Sequence, residues 1–281
     1  MPEPRRVLVV GASGTTGSRL TERLRAAGCE VRRATRTPPA DADGWVRFDW
    51  LDEATHGPAL EGVGGMYLIP PPLVADPAPA MTAFIDLALE RGVRRVVLLS
   101  ASAIPEGTAG VGAVHAAVRR EAPEWTVLRP TWFAQNFVTP YHHHAQSIAR
   151  EGAFYTAAGD GRVPYVDADD IAAVGAHALT DETPHNCAHD ITGPETMTHA
   201  EVAAILTEAA GRGIRHVPVD ADEASERMIA AGIPEAFARI LAQLEVAIGQ
   251  GAEDRVTDTV QAVTGRPPRT FAELVRPPSH E

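Results

Sequence analysis

The N-terminal stretch RRVLVVGASGTTG constrains the fold more strongly than any other part of the chain. Its apolar, β-branched run ends at Val10 and meets a glycine-rich turn, which is followed by a helical pattern from about Thr15 to Ala27. This order predicts a strand, a tight turn and a helix. The alternation continues with strands at about 29–35, 45–49, 64–69, 94–100 and 125–129, and with helices at about 76–91 and 110–121.

Strands that alternate with helices imply a parallel, doubly wound sheet. Beyond Pro130 the alternation weakens, although a helix is predicted at about 169–179 and a further strand at 187–192. From His199 the chain is predicted to be mostly helical, with helices at 199–210, 221–231 and 234–249. The predicted fold class is therefore α/β, a Rossmann-like doubly wound parallel sheet with a smaller, mostly helical C-terminal portion.

Composition narrows the classes of partner. The net charge of -12 disfavours non-specific binding to nucleic acid or to an anionic membrane, and small molecules or protein partners fit better. We find no signal peptide and no run of about 20 apolar residues, so we expect a cytoplasmic protein. Cys29 and Cys187 have no disulfide or zinc spacing and are expected to be buried as small apolar residues.

The chain contains no lysine, so all 25 of its Lys+Arg residues are arginine. This absence excludes Schiff-base chemistry, a Walker-A lysine and any Tyr-x-x-x-Lys catalytic pair.

The first turn has the spacing G-x-x-G-x-x-G, which is typical of a dinucleotide site. Glycines permit a sharp turn and the close approach of the backbone to a pyrophosphate at the N-terminus of the following helix. A purely structural turn is the alternative. The turn residues expected to bind the cofactor are Gly11, Ser13, Gly14, Thr15, Thr16 and Gly17.

The end of the second strand indicates which dinucleotide binds. NAD-selective sites usually place an acid there to bond the ribose hydroxyls, whereas this strand ends in Thr35 and Arg36. A guanidinium binds a 2′-phosphate bidentately, so NADP(H) is favoured over NAD. Alternatively, Arg36 is only a solvated surface charge.

Other strand ends supply further candidates, because ligands bind at the carboxyl ends of strands in open α/β sheets. Asp49 follows the third strand and could bond an adenine amino group, or it could simply form a turn. The remaining expected cofactor-binding residues follow the fourth, fifth and sixth strands and are Ile69, Pro70, Ser100, Ala101, Ser102 and Pro130.

Four stretches resemble the NmrA-like branch of the atypical short-chain dehydrogenase/reductase group: GASGTTG, FDWLDEAT (48–55), GVRRVVLLSAS (92–102) and TVLRPTWFAQNF (126–137). Together with DGRVPYVDADDIA and AVTGRPPRTF, they are similar to the ergot-alkaloid festuclavine and agroclavine dehydrogenase family and its bacterial relatives. The resemblance implies NADPH-dependent reduction, which in the ergot enzymes acts on a cyclic iminium. It does not carry the ergot substrate across.

We therefore expect residues 1–195 to form an NAD(P)-binding domain, with 131–165 contributing to a substrate cleft, and residues 196–281 to form a smaller substrate-side portion. The expected reaction is hydride transfer to a C=N or activated C=C bond of a small molecule by a monomer or homodimer. Quinone reduction and a non-catalytic dinucleotide sensor of the NmrA type are the alternatives.

The stretch PYHHHAQ (140–146) contains Tyr141 and three consecutive histidines. Tyr141 follows the sixth strand, which is the wrong connection for the catalytic tyrosine of the main short-chain family. Adjacent residues on a helix point about 100° apart, so the three imidazoles cannot converge on one metal ion. We expect no metal site, but a polar helix face or the rim of the substrate cleft.

His115 is the candidate catalytic residue. It lies on the helix where, by the resemblance, related reductases carry a lysine near the nicotinamide, and its titration range suits proton transfer. An ordinary helix histidine bonded to a neighbouring carbonyl is the alternative.

Aromatic residues after the sixth strand are expected to wall an apolar substrate pocket that stacks a flat or cationic molecule. Core packing is the alternative for each one. The substrate candidates are Trp132, Phe133, Phe137, Tyr155 and Tyr165, with Thr131 beside them.

Overall fold

The computed structural model describes residues 6–40 and 43–275. In these ranges the strands are β1 (Arg6–Val10), β2 (Glu30–Thr35), β3 (Trp45–Arg47), β4 (Gly65–Leu68), β5 (Arg95–Leu99), β6 (Glu124–Pro130), β7 (Ala153–Thr156), β8 (Arg162–Val163), β9 (Cys187–Ile191), β10 (Met197–Thr198) and β11 (Arg215–Pro218).

The helices in the same ranges vary from one turn to four. They are α1 (Thr15–Ala26), α2 (His56–Ala59), α3 (Ala78–Glu90), α4 (Val111–Glu121), α5 (His143–Glu151), α6 (Ala168–Thr180), α7 (His199–Ala210), α8 (Ala221–Ala230), α9 (Glu235–Gly249), α10 (Thr259–Thr264) and α11 (Phe271–Val275). Two short 3-10 helices lie at Glu53–Thr55 and Ala134–Phe137.

Seven strands form one sheet in the order β3-β2-β1-β4-β5-β6-β9, and the pairs from β3 to β6 run parallel. The first six follow the doubly wound order in which the chain direction across the sheet reverses between β1 and β4. The carboxyl ends of β1 and β4 therefore define the topological switch point, where such sheets bind ligands. The predicted α/β class and the Rossmann-like sheet are confirmed.

The chain divides into two compact units. Unit 1 comprises the N-terminal stretch to Pro130, Ala168–Asp190 and Ala262–Gly265, and it contains the seven-stranded sheet. Alternate strand residues such as Leu8, Met66 and Val96 point to one face, where they pack with side chains of α3 and α4. Helices α1 and α6 pack together in the same unit, and α6 also contacts β4, β5 and β6.

Unit 2 comprises Thr131–Asp167, Ile191–Gln261 and the C-terminal stretch from Arg266. It contains two small sheets, in which β8 pairs with β10 antiparallel and β7 pairs with β11 parallel. Its own core contains buried aromatic and aliphatic side chains, among them Phe137, Phe154, Tyr165 and Ile248.

This division differs from the single boundary expected near residue 195. The chain leaves unit 1 after β6 and returns to it as α6, because α6 packs on α1 and on three strands of the sheet. Residues 131–167 and 191–195 therefore belong to unit 2. The three helices predicted from His199 onward correspond to α7, α8 and α9. The elements α10, α11, β7, β8, β10 and β11 were not predicted.

Candidate functional site

A cavity of about 260 Å³ opens at the switch point of unit 1. Eight of the expected cofactor-binding residues line it: Gly11, Ser13, Gly14, Thr35, Arg36, Asp49, Ile69 and Pro70. Phe48, Trp50, Leu51, Pro71, Pro72 and Val74 complete its described lining together with Val10 and Ala34. The rule that ligands bind at the carboxyl ends of strands thus identified residues from four separate loops that line one cavity. It did not indicate that Trp50 and Leu51 also line it.

The glycine turn is packed too tightly for side chains. A Cβ atom on Gly11 would lie 2.2 Å from the Ile69 side chain, and the φ of Gly11 is +70°, which favours glycine. A Cβ on Gly17 would lie 2.2 Å from the carbonyl oxygen of Gly11. Gly11 therefore keeps the turn adjacent to β4, while Gly17 lets α1 approach the end of β1.

The N-terminus of α1 is suited to an anion. Its N-cap residue, Gly14, provides no side-chain hydrogen bond, and no acidic residue lies in the first turn. Backbone N–H groups and the helix dipole at such an end attract a phosphate group. Thr16 is instead buried, and its Oγ1 accepts a hydrogen bond from the Tyr67 hydroxyl at 2.9 Å, so it fixes α1 to β4.

Arg36 is exposed at the edge of the cavity and makes no hydrogen bond or ion pair with any residue that the structure describes. Next to it, the Thr35 and Ser13 hydroxyls lie 3.5 Å apart, which brings the end of β2 close to the glycine turn. The arrangement offers one cation and two hydroxyl groups to a ligand that extends from the turn towards β2.

Asp49 forms a turn and also lines the cavity. Its Oδ1 accepts a hydrogen bond from the Leu51 N–H at 3.0 Å, which is a turn-forming contact. The residue also lines the cavity beside Trp50, which packs edge-on against Phe48 at a centroid distance of 4.9 Å.

The segment Ser100–Ser102 extends β5 alongside β6. The Ser100 N–H donates to the carbonyl oxygen of Leu128 at 2.8 Å, and the Ser102 N–H donates to that of Pro130 at 2.9 Å. The Ser100 hydroxyl is buried without a hydrogen-bond partner among the described residues. Burying an unsatisfied hydroxyl is costly, so this group is a candidate to bond a ligand.

His115 lies on α4 and is almost fully buried, with its ring 6.3 Å from that of Trp125. Neither ring nitrogen has a hydrogen-bond partner among the described residues, and Nε2 lies 3.8 Å from a carboxylate oxygen of Glu106. Burial lowers the pKa of the imidazole; Glu106 opposes this effect, whereas the Arg129 charge adds to it. The neutral ring is therefore not the carbonyl-bonded helix histidine that was the alternative.

The five aromatic candidates lie in unit 2 and fall into three groups. Phe137 and Tyr165 are core residues, with ring centroids 5.2 Å apart, which agrees with the core-packing alternative. The Tyr155 hydroxyl donates to Glu151 at 2.8 Å, and its ring packs against an arginine. Trp132 and Phe133 are only half-buried, and Phe133 forms a β-bridge with Val166.

The three consecutive histidines have structural contacts. The Nδ1 of His142 caps α5 by accepting the His144 N–H at 3.3 Å, whereas Tyr141 is 72% exposed. The expectation of a polar helix face was wrong for His144. Its ring is buried and stacks on Phe137 at 5.4 Å, because an uncharged imidazole packs like an aromatic ring.

Neither a metal site nor a membrane span is found in the described ranges. No group of three or more His, Cys, Asp or Glu side chains there could hold a metal ion. Similarly, none of the helices within residues 6–40 and 43–275 combines the length and apolarity needed to cross a bilayer.

The sheet order, the tight glycine turn and the cavity at the switch point define a dinucleotide-binding protein of the Rossmann type. The chain belongs to the NmrA-like family, whose model matches residues 3–273. It is an NAD(P)H-dependent oxidoreductase, and the predicted resemblance to the NmrA-like family is confirmed.

Two relatives and one solved structure illustrate the similarity. The uncharacterized oxidoreductase YesF of Bacillus subtilis is 45% identical over 95% of this chain and 93% of its own. Agroclavine dehydrogenase of Claviceps fusiformis is 38% identical over 96% of both chains. The NADPH complex of the quinone oxidoreductase QOR2 from Escherichia coli has a TM-score of 0.78 and 24% identity, covering 96% of this chain and 98% of that one.

Proposed function

We propose that the chain is an NADPH-dependent reductase of a C=N bond, as in an imine or iminium, or of an activated C=C bond in a small molecule. The similarity to agroclavine dehydrogenase along almost the entire chain carries this proposal, because it extends beyond the cofactor site to both units. The cavity at the switch point supports the cofactor half of the proposal independently.

The residues around the cavity fit a dinucleotide. Gly11 and Gly17 leave the space that a Cβ would fill, and the first turn of α1 has no side-chain cap or acid. The buried Ser100 hydroxyl has no hydrogen-bond partner within residues 6–40 and 43–275. We propose that the adenosine half lies near Arg36 and Asp49, with the pyrophosphate at the glycine turn. The other half would then extend across the end of β4 towards Ser100–Ser102.

Arg36 supports NADPH rather than NADH. An exposed guanidinium that has no partner among the described residues, next to the Thr35 hydroxyl, can bond a 2′-phosphate bidentately. No acidic residue stands at the end of β2 to bond a free 2′-hydroxyl group.

When bound, NADPH would supply a hydride to the electrophilic carbon while the C=N electrons pass to nitrogen, so that an iminium becomes a neutral amine. For an iminium no oxyanion would form and no proton would be required, which is compatible with a chain that lacks the tyrosine and lysine acid pair. A neutral imine or an activated C=C bond would take up one proton from solvent. The protein would then act by positioning and by excluding water. Of the aromatic candidates, the half-buried Trp132 and Phe133 are proposed to contact the substrate.

The test measures oxidation of NADPH and of NADH at 340 nm with cyclic iminiums, quinones and aldehydes as acceptors. We expect turnover of an iminium with NADPH. Turnover of quinones alone would overturn the C=N assignment, and tight dinucleotide binding without any turnover would favour a sensor.

The variant Arg36→Ala tests the cofactor assignment. It should weaken NADPH binding by about 10- to 100-fold, which is the value of a charge-assisted bidentate contact, while NADH binding changes little. Arg94→Ala is the matched control, because Arg94 is also exposed and also lacks a partner among the described residues, but precedes β5 at the other end of the strand. Equal losses for both dinucleotides in Arg36→Ala would refute the assignment.

A further inference from the structure

Arg129 on β6 connects three neighbouring strands at their carboxyl ends. Its Nη2 donates to the carbonyl oxygen of Ser102, just beyond β5, at 2.8 Å. Its Nη1 lies 2.9 Å from Oδ1 of Asp190 on β9. The arginine side chain is 21% exposed, so both contacts are partly shielded from water and are stronger than those of a surface pair.

The segment that Arg129 holds is Ser100–Ser102. Two backbone hydrogen bonds to β6 fix its N–H groups, but they leave the Ser102 carbonyl to be held by the guanidinium. A planar guanidinium can donate in two directions at once, whereas a lysine could not hold both the carbonyl and Asp190 in the same geometry. Arg129 therefore determines the path of the segment as it leaves the sheet.

Arg95 provides an internal comparison at the opposite end of β5. Its Nε donates to Glu124 at 2.6 Å, and its Nη1 donates to the carbonyl oxygens of Leu179 at 3.2 Å and Asp181 at 2.7 Å. Both arginines thus link β5 and β6 to neighbouring chain segments. Of the two arginines, only Arg129 lies at the carboxyl ends of the strands, where ligands bind in such sheets.

We infer that Arg129, oriented by Asp190, is a positioning residue that orders Ser100–Ser102 for the nicotinamide half of the dinucleotide. The inference rests on the proposed function, in which the dinucleotide extends from Arg36 across the end of β4. Arg129 acts through the segment and is assigned no contact with the cofactor. Because the segment is already ordered, less conformational entropy is lost when the dinucleotide binds.

The experiment compares two ligands by calorimetry with the full-length protein. One is NADP⁺, and the other is 2′-phospho-ADP-ribose, which lacks the nicotinamide ring. We expect Arg129→Met to weaken NADP⁺ binding by about tenfold, the equivalent of about 1.4 kcal/mol, and to leave 2′-phospho-ADP-ribose binding unchanged. Arg36→Ala should weaken both ligands, because both carry the 2′-phosphate.

Three further variants separate positioning from general stability. Asp190→Asn should reproduce part of the Arg129→Met effect, and Arg129→Lys should restore little of the lost affinity. Arg95→Met should lower the unfolding midpoint without separating the two ligands. Hydrogen exchange of unliganded Arg129→Met should show faster exchange at Ser102, but not at the backbone amides of β1.

Equal affinity changes for the two ligands in Arg129→Met, or no change for either, would overturn the inference. The same holds if Arg129→Lys binds NADP⁺ like the wild type. These readouts do not require turnover, so a failure to reduce iminiums would count against the proposed reaction and leave the positioning role separately tested.

Discussion

The two units accommodate buried ionisable groups differently. At the ends of β5 and β6 in unit 1, partly or fully buried arginines stay charged and are paired, as in Arg95 with Glu124 and Arg129 with Asp190. The core of unit 2 instead contains a histidine–aromatic cluster, formed by His144, His199, His216, Phe137, Phe154 and Tyr165. Guanidinium groups keep their charge at any ordinary pH, whereas imidazoles do not.

The histidine–aromatic cluster requires neutral imidazoles. The ring of His199 stacks on that of His216 at 4.9 Å, and its Nε2 lies 2.8 Å from the Tyr165 hydroxyl. Burial lowers the pKa of His199 to about 3 and that of His216 to about 4. Unit 2 should therefore lose more stability than unit 1 in mild acid.

Lowering the pH from 7 to 5 should give the largest effect. A histidine with a lowered folded-state pKa adds stability above the unfolded value near 6.5, and this stability is lost as the pH falls towards the folded value. His199 alone should lose about 2 kcal/mol at pH 5, and His142, His143, His144 and His216 act in the same direction.

Urea unfolding at the two pH values, combined with hydrogen exchange, checks this expectation. Peptides from β7 and α7 should lose protection at pH 5 before those from β1 and β2. His115 and His189 in unit 1 also have lowered pKa values, so unit 1 should weaken too, but less. An equal loss of hydrogen-exchange protection in both units at pH 5 would contradict the expected difference between them.

A pair of glycine substitutions should come next in size. A Cβ on Gly17 in unit 1 would lie 2.2 Å from the carbonyl oxygen of Gly11, and one on Gly161 in unit 2 would lie 2.3 Å from that of Ile248. Backbone must move in both cases, so each Gly→Ala change should cost about 1–3 kcal/mol of unfolding free energy.

Only Gly17→Ala should also abolish tight NADP⁺ binding, since it displaces the glycine turn. The control is Gly64→Ala, which places its Cβ in open space and should change neither property. Loss of NADP⁺ affinity in Gly161→Ala as well would mean that the two units do not respond separately.

Glu245→Gln should have a smaller effect, of opposite pH dependence to the histidines. Glu245 is buried on α9, where its Oε2 accepts the Ala157 N–H at 2.8 Å, and burial raises its pKa to about 7. A raised pKa favours the fold below the unfolded value and penalises it as the pH rises through about 7. The glutamine variant should therefore gain about 1–3 kcal/mol at pH 8.5.

Unfolding midpoints of wild type and Glu245→Gln at pH 5 and pH 8.5 provide the measurement. The gain should be much smaller at pH 5, where the wild-type carboxyl is protonated in the folded state and only partly ionised in the unfolded state. A variant that is destabilised at both values would show that the ionised carboxylate has a favourable partner.

The smallest expected effect is on turnover. His115→Ala should lower kcat by about tenfold, or about 1.4 kcal/mol of barrier, while the NADPH dissociation constant stays nearly the same. The reason is that His115, whose ring nitrogens have no hydrogen-bond partner among the described residues, is proposed to anchor the substrate and not to hold the cofactor. Steady-state kinetics gives kcat, and a binding titration gives the NADPH dissociation constant. An unchanged kcat would show that His115 takes no part in the reaction.

Local patterns predicted the sheet of unit 1 and the helices α7, α8 and α9 of unit 2, but not the short strands of unit 2. The strand before Gly11 and the helix after it have strong, distinct periods, so their positions could be predicted from sequence. The strands β8 and β10 have only two residues each, which is too short for any period, and they form only by pairing with each other. Residues that depend on distant partners were therefore missed.

The candidate site shows the same limit. The rule for strand ends located Arg36, Asp49 and Ile69 at one cavity without any knowledge of distances. It could not indicate that the Ser100 hydroxyl is buried without a partner in the described part of the chain, or that His144 stacks on Phe137, because both follow from packing between distant segments.

The return of the chain to unit 1 has a consequence for how the protein folds during synthesis. The glycine turn is complete within the first twenty residues, but α6 and β9, which pack against α1 and β6, end at Thr180 and Ile191. Contacts between segments so far apart in sequence form late. Nearly the first 190 residues, including the start of unit 2, must therefore be synthesised before the sheet of unit 1 can be completed. Until then β6 is an open edge strand, and chaperones have the longest opportunity to act there.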